Sequence, residues 1–255
     1  MNTKGCVAMI TGGASGLGEA TVRYLVERGA KVSILDIDAN RGEKIARELG
    51  KVVVFCRTDV TDEGSVQTAI DATMKTFGAI HVNVNCAGIG PAEKVLGKKG
   101  VMSIEKFSKV VQLNLIGTIN AIRLSAEKMA LNTPNEDNEK GVVVNTASTA
   151  AFDGQIGQAA YSASKAGVVG MTLPIARELA EHGIRVVTIA PGLFRTPLAE
   201  TLHPKAIEAL ESQIPFPKRL GKPSEFAMLV GHIIENPMFN GATLRLDGAL
   251  RMTAR

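Results

Sequence analysis

The chain of 255 residues is 45% hydrophobic and 21% charged, with 29 basic side chains against 25 acidic ones and a formal net charge of +4. That size and apolar share suit one α/β domain or two small ones, and the dispersed basic residues lack the block that a nucleic-acid footprint requires. Few aromatics, no Trp and abundant Val, Ile, Ala and Gly point to a buried parallel sheet with helices packed close on it.

In chain order, short apolar runs at 7–11, 32–36, 52–56, 80–85, 142–146, 186–190 and 243–246 read as strands. Between them, 16–28, 40–49, 63–77, 104–131, 159–181 and 224–235 carry helical periodicity. Gly29 and Gly78 stand where a helix must stop before the next strand. The alternation predicts an α/β fold of right-handed crossovers, a doubly wound seven-stranded parallel sheet with helices on both faces. Neither an internal repeat nor a linker interrupts it, so residues 1–255 read as a single domain.

Three segments resist regular assignment: 89–102, 132–140 and 193–222. The first and third follow strand ends, where open α/β sheets bind ligands, and are expected to be substrate loops. The second follows a helix and reads as a plain surface turn. Lys94, Lys98 and Lys99 in the first loop have two readings: a solvated face, or attraction of a phosphate-bearing substrate such as a CoA ester.

Residues 1–5 lack the features of a secretory signal, and no apolar run approaches the roughly 20 residues that span a bilayer. The expectation is a soluble, cytoplasmic protein, or one of the mitochondrial matrix in a eukaryotic cell. Cys6, Cys56 and Cys86 lie in or beside apolar runs and read as reduced, buried thiols. The four histidines are scattered, so no metal site is predicted.

After the first strand comes Thr11-Gly12-Gly13-Ala14-Ser15-Gly16-Leu17-Gly18, and a helix follows at once. Glycines here let the backbone approach a pyrophosphate, and the helix N-terminus offers N–H groups to the anion, the arrangement of a Rossmann fold. A strand-turn-helix of this kind also serves methyltransferases that bind adenosyl-methionine. Asp36, at the end of the second strand, can accept hydrogen bonds from both ribose hydroxyls and would repel a 2′-phosphate. Neither Ile37 nor Ser15 supplies a cation for such a phosphate, so NAD is favoured over NADP.

Tyr161 and Lys165 stand four residues apart on a helix and share one face. An unperturbed phenol, with pKa about 10, is a poor base at neutral pH. A nearby ammonium and the positive ring of an oxidised nicotinamide can lower it, making Tyr161 a general base for an alcohol. Ser148, thirteen residues earlier at a strand end, can hold the substrate oxygen near Tyr161. The plainer readings are a Ser148 that only caps a turn and an Asn114 exposed on its helix.

Taken together, the glycine turn, Asp59-Val60, Asn85-Cys86-Ala87-Gly88, Asn114, Ser148, Tyr161-x-x-x-Lys165 and Pro191-Gly192 resemble the short-chain dehydrogenase/reductase family over the whole chain. That family more often has a second Asn where Cys86 stands. The resemblance implies catalytic roles for Ser148, Tyr161 and Lys165, and makes Asn114 a water-holding residue that links Lys165 to solvent. It also implies that Gly12, Ser15, Gly16, Leu17 and Gly18 cradle the cofactor and that Asp59 and Val60 meet the adenine. Cys86, Ala87 and Gly88 would pass beside the adenosine ribose. Pro191, Gly192, Phe194 and Thr196 would close on the nicotinamide.

The runs NTASTAAFDGQIGQAAYSASKAGVVGMTLPIARELA, TIAPGLFRTPL, IPFPKRLGKPSEFA and NGATLRLDGALRM are similar to the type 2 3-hydroxyacyl-CoA dehydrogenase subfamily, also called type 10 17β-hydroxysteroid dehydrogenases. This implies an (S)-3-hydroxyacyl-CoA substrate, a contact from Gln158 and a homotetramer joined through the C-terminal end. Arg195 departs from the small residue expected there. Alternatives are a 3-oxoacyl-carrier-protein reductase, a steroid or secondary-alcohol dehydrogenase, or a non-catalytic NAD-responsive scaffold. The first would need a cation near Ser15 or Ile37, and the last would commonly lose Tyr161 or Lys165.

Overall fold

A computed structural model describes residues 1–98, 100–197 and 204–254. In chain order the elements are β1 (Val7–Thr11), α1 (Gly16–Glu27), β2 (Lys31–Asp36), α2 (Ala39–Leu49), β3 (Val53–Arg57), α3 (Glu63–Phe77), β4 (Val82–Asn85), the short β5 (Leu96–Gly97) and β6 (Gly100–Val101), α4 (Ile104–Val111), α5 (Gly117–Met129), β7 (Gly141–Thr146), α6 (Ala159–Ala180), β8 (Ile184–Pro191), α7 (Pro204–Ser212), α8 (Pro223–Glu235) and β9 (Thr243–Leu246). Seven of the strands form one parallel sheet in the order β3-β2-β1-β4-β7-β8-β9. This is the fold class that the alternation of strands and helices predicts.

The period-two alternation of a strand sends neighbours to opposite layers. From β1, Ala8 and Ile10 pack with Val22 and Leu25 of α1 and Phe226 and Val230 of α8. Met9 between them faces the other layer, with Ile70 of α3, Ile122 and Met129 of α5 and Val143 of β7. Each large side chain removed from water in this way contributes about 1.5–3 kcal/mol. The strand order reverses between β1 and β4, so the loops beyond their carboxyl ends diverge and open a crevice.

Three expectations change in detail. The single helix predicted over 104–131 is α4 and α5 joined by a π-helical turn at Gln112–Ile116, in which Asn114 is the buried residue. The 89–102 loop contains the antiparallel pair β5 and β6, and the 193–222 segment contains α7. The 132–140 segment is more than a plain surface turn. The Asn132 amide donates to the carbonyls of Ile80 and Lys140 at 2.7 and 2.9 Å, and Glu139 is buried against Arg185 at 2.6 Å. Lys99 and residues 198–203 of the two expected substrate loops lie outside the described residues, as does Arg255 at the end expected to join subunits.

Candidate active site

The glycine turn after β1 is shaped by lack of room. A Cβ on Gly12 would lie 2.7 Å from the Ala87 nitrogen, and one on Gly18 would collide with the Gly12 carbonyl oxygen. Gly12 (φ +64°) and Gly16 (φ +52°) also hold the left-handed backbone that favours glycine. Ser15 is the N-cap of α1, yet its side chain makes no capping bond, and Gly16 and Leu17 begin the helix behind it. Across the turn, Asp36 is oriented by two backbone amides: Ala14 N–H donates to Oδ2 and Asp38 N–H to Oδ1, both at 3.0 Å. Asp38, not Asp36, caps α2, accepting from Arg41 N–H at 3.1 Å.

Further along the crevice, the Thr58 amide donates to the Asp36 carbonyl at 2.9 Å, which sets Asp59 and Val60 beside the end of β2. Asp59 folds back on Thr61, accepting from its amide at 2.9 Å and its hydroxyl at 2.7 Å. The Val60 carbonyl accepts from Asn120 at 3.0 Å. Beyond β8, a Cβ on Gly192 would press on Asp247 at 2.8 Å, and one on Gly16 would reach the Thr196 methyl at 3.6 Å. Thr196 therefore comes up to the glycine turn, while Gly192 packs on Asp247 and Phe194 on Gly221. The loop is pinned by Arg195, whose amide donates to Gly221 at 2.8 Å and whose guanidinium pairs with Glu211 at 3.5 Å.

Ser148, Tyr161, Lys165 and Asn114 converge where β4 and β7 end. Lys165 is buried and donates from Nζ to the Thr146 carbonyl at 2.8 Å, and Nζ lies 5.8 Å from the centre of the Tyr161 ring. Burial pushes this amine from 10.5 down to about 8. Burial pushes the Tyr161 phenol up, and the Ser148 hydroxyl pulls it the other way. Of these two effects on the phenol, burial is the larger.

Ser148 does cap a turn, accepting from the Ala150 amide at 3.1 Å. That bond uses an oxygen lone pair, so the hydroxyl hydrogen can donate toward Tyr161 and the space beside it. Gln158 is the N-cap of α6, three residues ahead of Tyr161, with its Oε1 held by the Gln155 amide at 3.0 Å. Asn114 is fully buried, not exposed on its helix. Its Oδ1 accepts from the Ile89 amide and its Nδ2 donates to the Ile89 carbonyl, both at 2.8 Å, and Nδ2 also donates to Ser164 Oγ at 3.0 Å. Gly88 sits between these groups, for its added Cβ would lie 3.2 Å from Asn114 Oδ1 and 3.4 Å from Lys165 Nζ.

Ser164 is a residue that the sequence motifs do not single out. It joins Asn114 to the carbonyl of Tyr161, to which its hydroxyl donates at 2.7 Å. Its position three residues after Tyr161, one helical turn on, was the available signal. Gly90 also went unremarked; a Cβ there would press on the Tyr161 ring at 3.3 Å. Cys86, beside Thr146, has its thiol pushed up by burial to about 11, which suits an inert side chain. Among the described residues, no three His, Cys, Asp or Glu side chains gather as a metal site needs.

The model of the short chain dehydrogenases matches residues 6–206. A human protein named 3-hydroxyacyl-CoA dehydrogenase type-2 is 56% identical over 253 residues, 98% of this chain and 97% of that protein. The crystal structure of a protein of the same name from Mycobacterium avium is 43% identical, with a TM-score of 0.95 and full coverage of both chains. A Brucella melitensis 3-ketoacyl-(acyl-carrier-protein) reductase, solved in complex with NADH, is 31% identical, with a TM-score of 0.87 over 98% of this chain and all of that one. With its glycine turn, its Tyr161–Lys165 face and these likenesses along its length, the chain belongs to the short chain dehydrogenase family and is an oxidoreductase.

Proposed function

We propose that the chain is an NAD-dependent dehydrogenase that oxidises (S)-3-hydroxyacyl-CoA thioesters to 3-oxoacyl-CoA. The observation that carries this reading is the convergence of Ser148, Tyr161 and Lys165 beside a crevice whose far end is guarded by Asp36. The substrate class rests on likeness at 53–56% identity to proteins named for 3-hydroxyacyl-CoA.

The crevice fits a dinucleotide. Gly12, Gly16 and Gly18 clear a path for a pyrophosphate, with Ser15 and Leu17 at the helix terminus behind them. Asp36, fixed by two amides, receives the ribose hydroxyls and disfavours a 2′-phosphate. Asp59 and Val60 flank the adenine, and Cys86, Ala87 and Gly88 flank the adenosine ribose. Pro191, Gly192, Phe194 and Thr196 hold the nicotinamide end. NAD supplies the hydride acceptor and, when oxidised, a positive ring.

Ser148 turns its hydroxyl hydrogen from Tyr161 to the substrate oxygen, and Tyr161 takes the alcohol proton as general base. Lys165, tied to the Thr146 carbonyl, fixes the site's geometry and supplies positive charge near the phenol. Asn114 braces Ile89 and, through Ser164, the Tyr161 turn; its second oxygen lone pair is where a water near Lys165 is held. Gln158 borders the substrate, and the 89–102 and 193–222 segments form its loops.

By the same likeness the protein is a homotetramer, working in the cytoplasm or, in a eukaryotic cell, the mitochondrial matrix. Three free cysteines support a reducing compartment, and among the described residues no helix is long and apolar enough to cross a membrane. Purified protein given NAD and 3-hydroxybutyryl-CoA should generate NADH. Turnover confined to NADPH and 3-oxoacyl-carrier-protein would overturn the reading.

A further inference from the structure

We infer that Arg245 is a positioning residue, which sets the turn between Ser148 and Tyr161 by holding Asp153 from the far edge of the sheet. The proposal rests on the roles given above to Ser148 and Tyr161, but not on the identity of the alcohol.

Arg245 lies on β9, the edge strand, 92 positions from Asp153 in sequence. One guanidinium nitrogen donates to Asp153 Oδ2 at 2.6 Å and to the Leu250 carbonyl at 2.9 Å, and Nε donates to Asp247 Oδ2 at 2.7 Å. The guanidinium carbon also lies 5.2 Å from the centre of the Phe152 ring. The group is three-quarters buried, and Asp247 is only 7% exposed. An isolated surface ion pair would contribute almost nothing, whereas a fork with two carboxylates and a carbonyl fixes a geometry.

What the fork holds is the wall of the site. The Ser148 hydroxyl caps the short turn Thr149–Ala151, and the Asp153 amide donates to the Thr149 carbonyl at 2.9 Å. Gly154 follows, and a Cβ there would collide with the Ser162 hydroxyl, the neighbour of Tyr161. Asp153 thus sits at the joint between the turn that carries Ser148 and the first turn of α6 that carries Tyr161. Two backbone bonds hold the rest of the connection: Ile156 N–H to the Ala254 carbonyl at 3.0 Å and Glu93 N–H to the Gly157 carbonyl at 2.8 Å. Without Arg245 the middle of the connection loses its anchor, and the Ser148–Tyr161 spacing widens while the glycine turn and Asp36, on the other side of β4, keep their form.

The test is steady-state kinetics on Arg245→Met, Arg245→Lys, Asp153→Ala and the Arg245→Met/Asp153→Ala double variant, with NAD and whichever secondary alcohol the unaltered protein oxidises. A misplacement near 1 Å can cost about a hundredfold, so a partial loosening should lower kcat about tenfold. Arg245→Met and Asp153→Ala should each show that loss, and Asp153→Ala, which leaves Asp247 and Gly192 untouched, should keep KM for NAD within about twofold of the unaltered protein. Arg245→Lys should recover part of it, and the double variant should be no worse than about either single one, since both break one link. If Arg245→Met fails to fold, Asp153→Ala, which changes a loop carboxylate alone, decides the matter. A kcat within about twofold of the unaltered protein in Asp153→Ala, or losses that multiply in the double variant, would overturn the proposal. Absence of turnover with 3-hydroxybutyryl-CoA but retained turnover of another alcohol would count against the substrate reading alone.

Discussion

The two ends of the crevice are built differently. The nucleotide end is made of backbone: glycines with no room for a Cβ, and amides aimed at Asp36, all from β1, β2 and the turns next to them. The substrate end is made of side chains from distant segments, such as Asn114 on Ile89 and Arg245 on Asp153. A backbone cradle is written in a few consecutive residues and repels change, whereas a wall assembled from remote loops can be retuned one contact at a time. This contrast accounts for a fold shared between proteins of different substrate name.

The largest expected effect lies where the two ends meet. Tyr161→Phe removes the base and leaves the cradle, so turnover should fall by about 10²–10⁴ while calorimetry still detects NAD binding. Retained turnover would mean another group takes the proton. Gly18→Ala tests the cradle itself. Its methyl cannot avoid the Gly12 carbonyl, so loss of NAD affinity should accompany destabilisation of about 1–3 kcal/mol, read by denaturant melts. Unchanged binding and stability would mean the turn is softer than its contacts imply.

Asp36→Ala removes hydrogen bonds to a charged group, each worth about 1.5–3 kcal/mol, and should weaken NAD about 10- to 100-fold while relaxing discrimination against NADP. An unchanged preference between the two would remove Asp36 from that role. The last effect is on stability against pH alone and leaves neither end of the crevice altered at neutral pH. Lys165 is held at about 8 in the folded chain and returns to 10.5 when unfolded. Between those values the unfolded chain binds the extra proton, so this group makes the fold more stable as pH rises from 8 to 10.5, and its burial penalty is constant below 8. Lys165→Met should flatten the melting temperature across that window relative to the unaltered protein. An identical slope would show that the amine is not desolvated.

The same contrast explains what could be read from the sequence. The seven strands, the glycine turn, Asp36 and the Tyr161–Lys165 pair are local patterns, each within a few residues of chain, and they emerge where periodicity and spacing place them. Asn114 kept its importance, but its burial and its π turn did not show, because both depend on Ile89, 25 residues away in sequence. Spacing on a helix reports that Tyr161 is near an ammonium but not how deeply its phenol is buried, which comes from the packing around it. Ser164 shows in the sequence only its place one turn beyond Tyr161 and Arg245 carries no local motif, so only the folded chain reveals what they hold.

The central claim is that this site moves hydrogen from C3 of a 3-hydroxyacyl thioester to NAD. The most direct measurement is incubation with (S)-3-hydroxybutyryl-CoA deuterated at C3, followed by NMR of the recovered NADH. Deuterium on the nicotinamide of the NADH, with one 3-oxobutyryl-CoA formed for each, is the predicted result. Failure to form NADH, or NADH formed without the label, would contradict it.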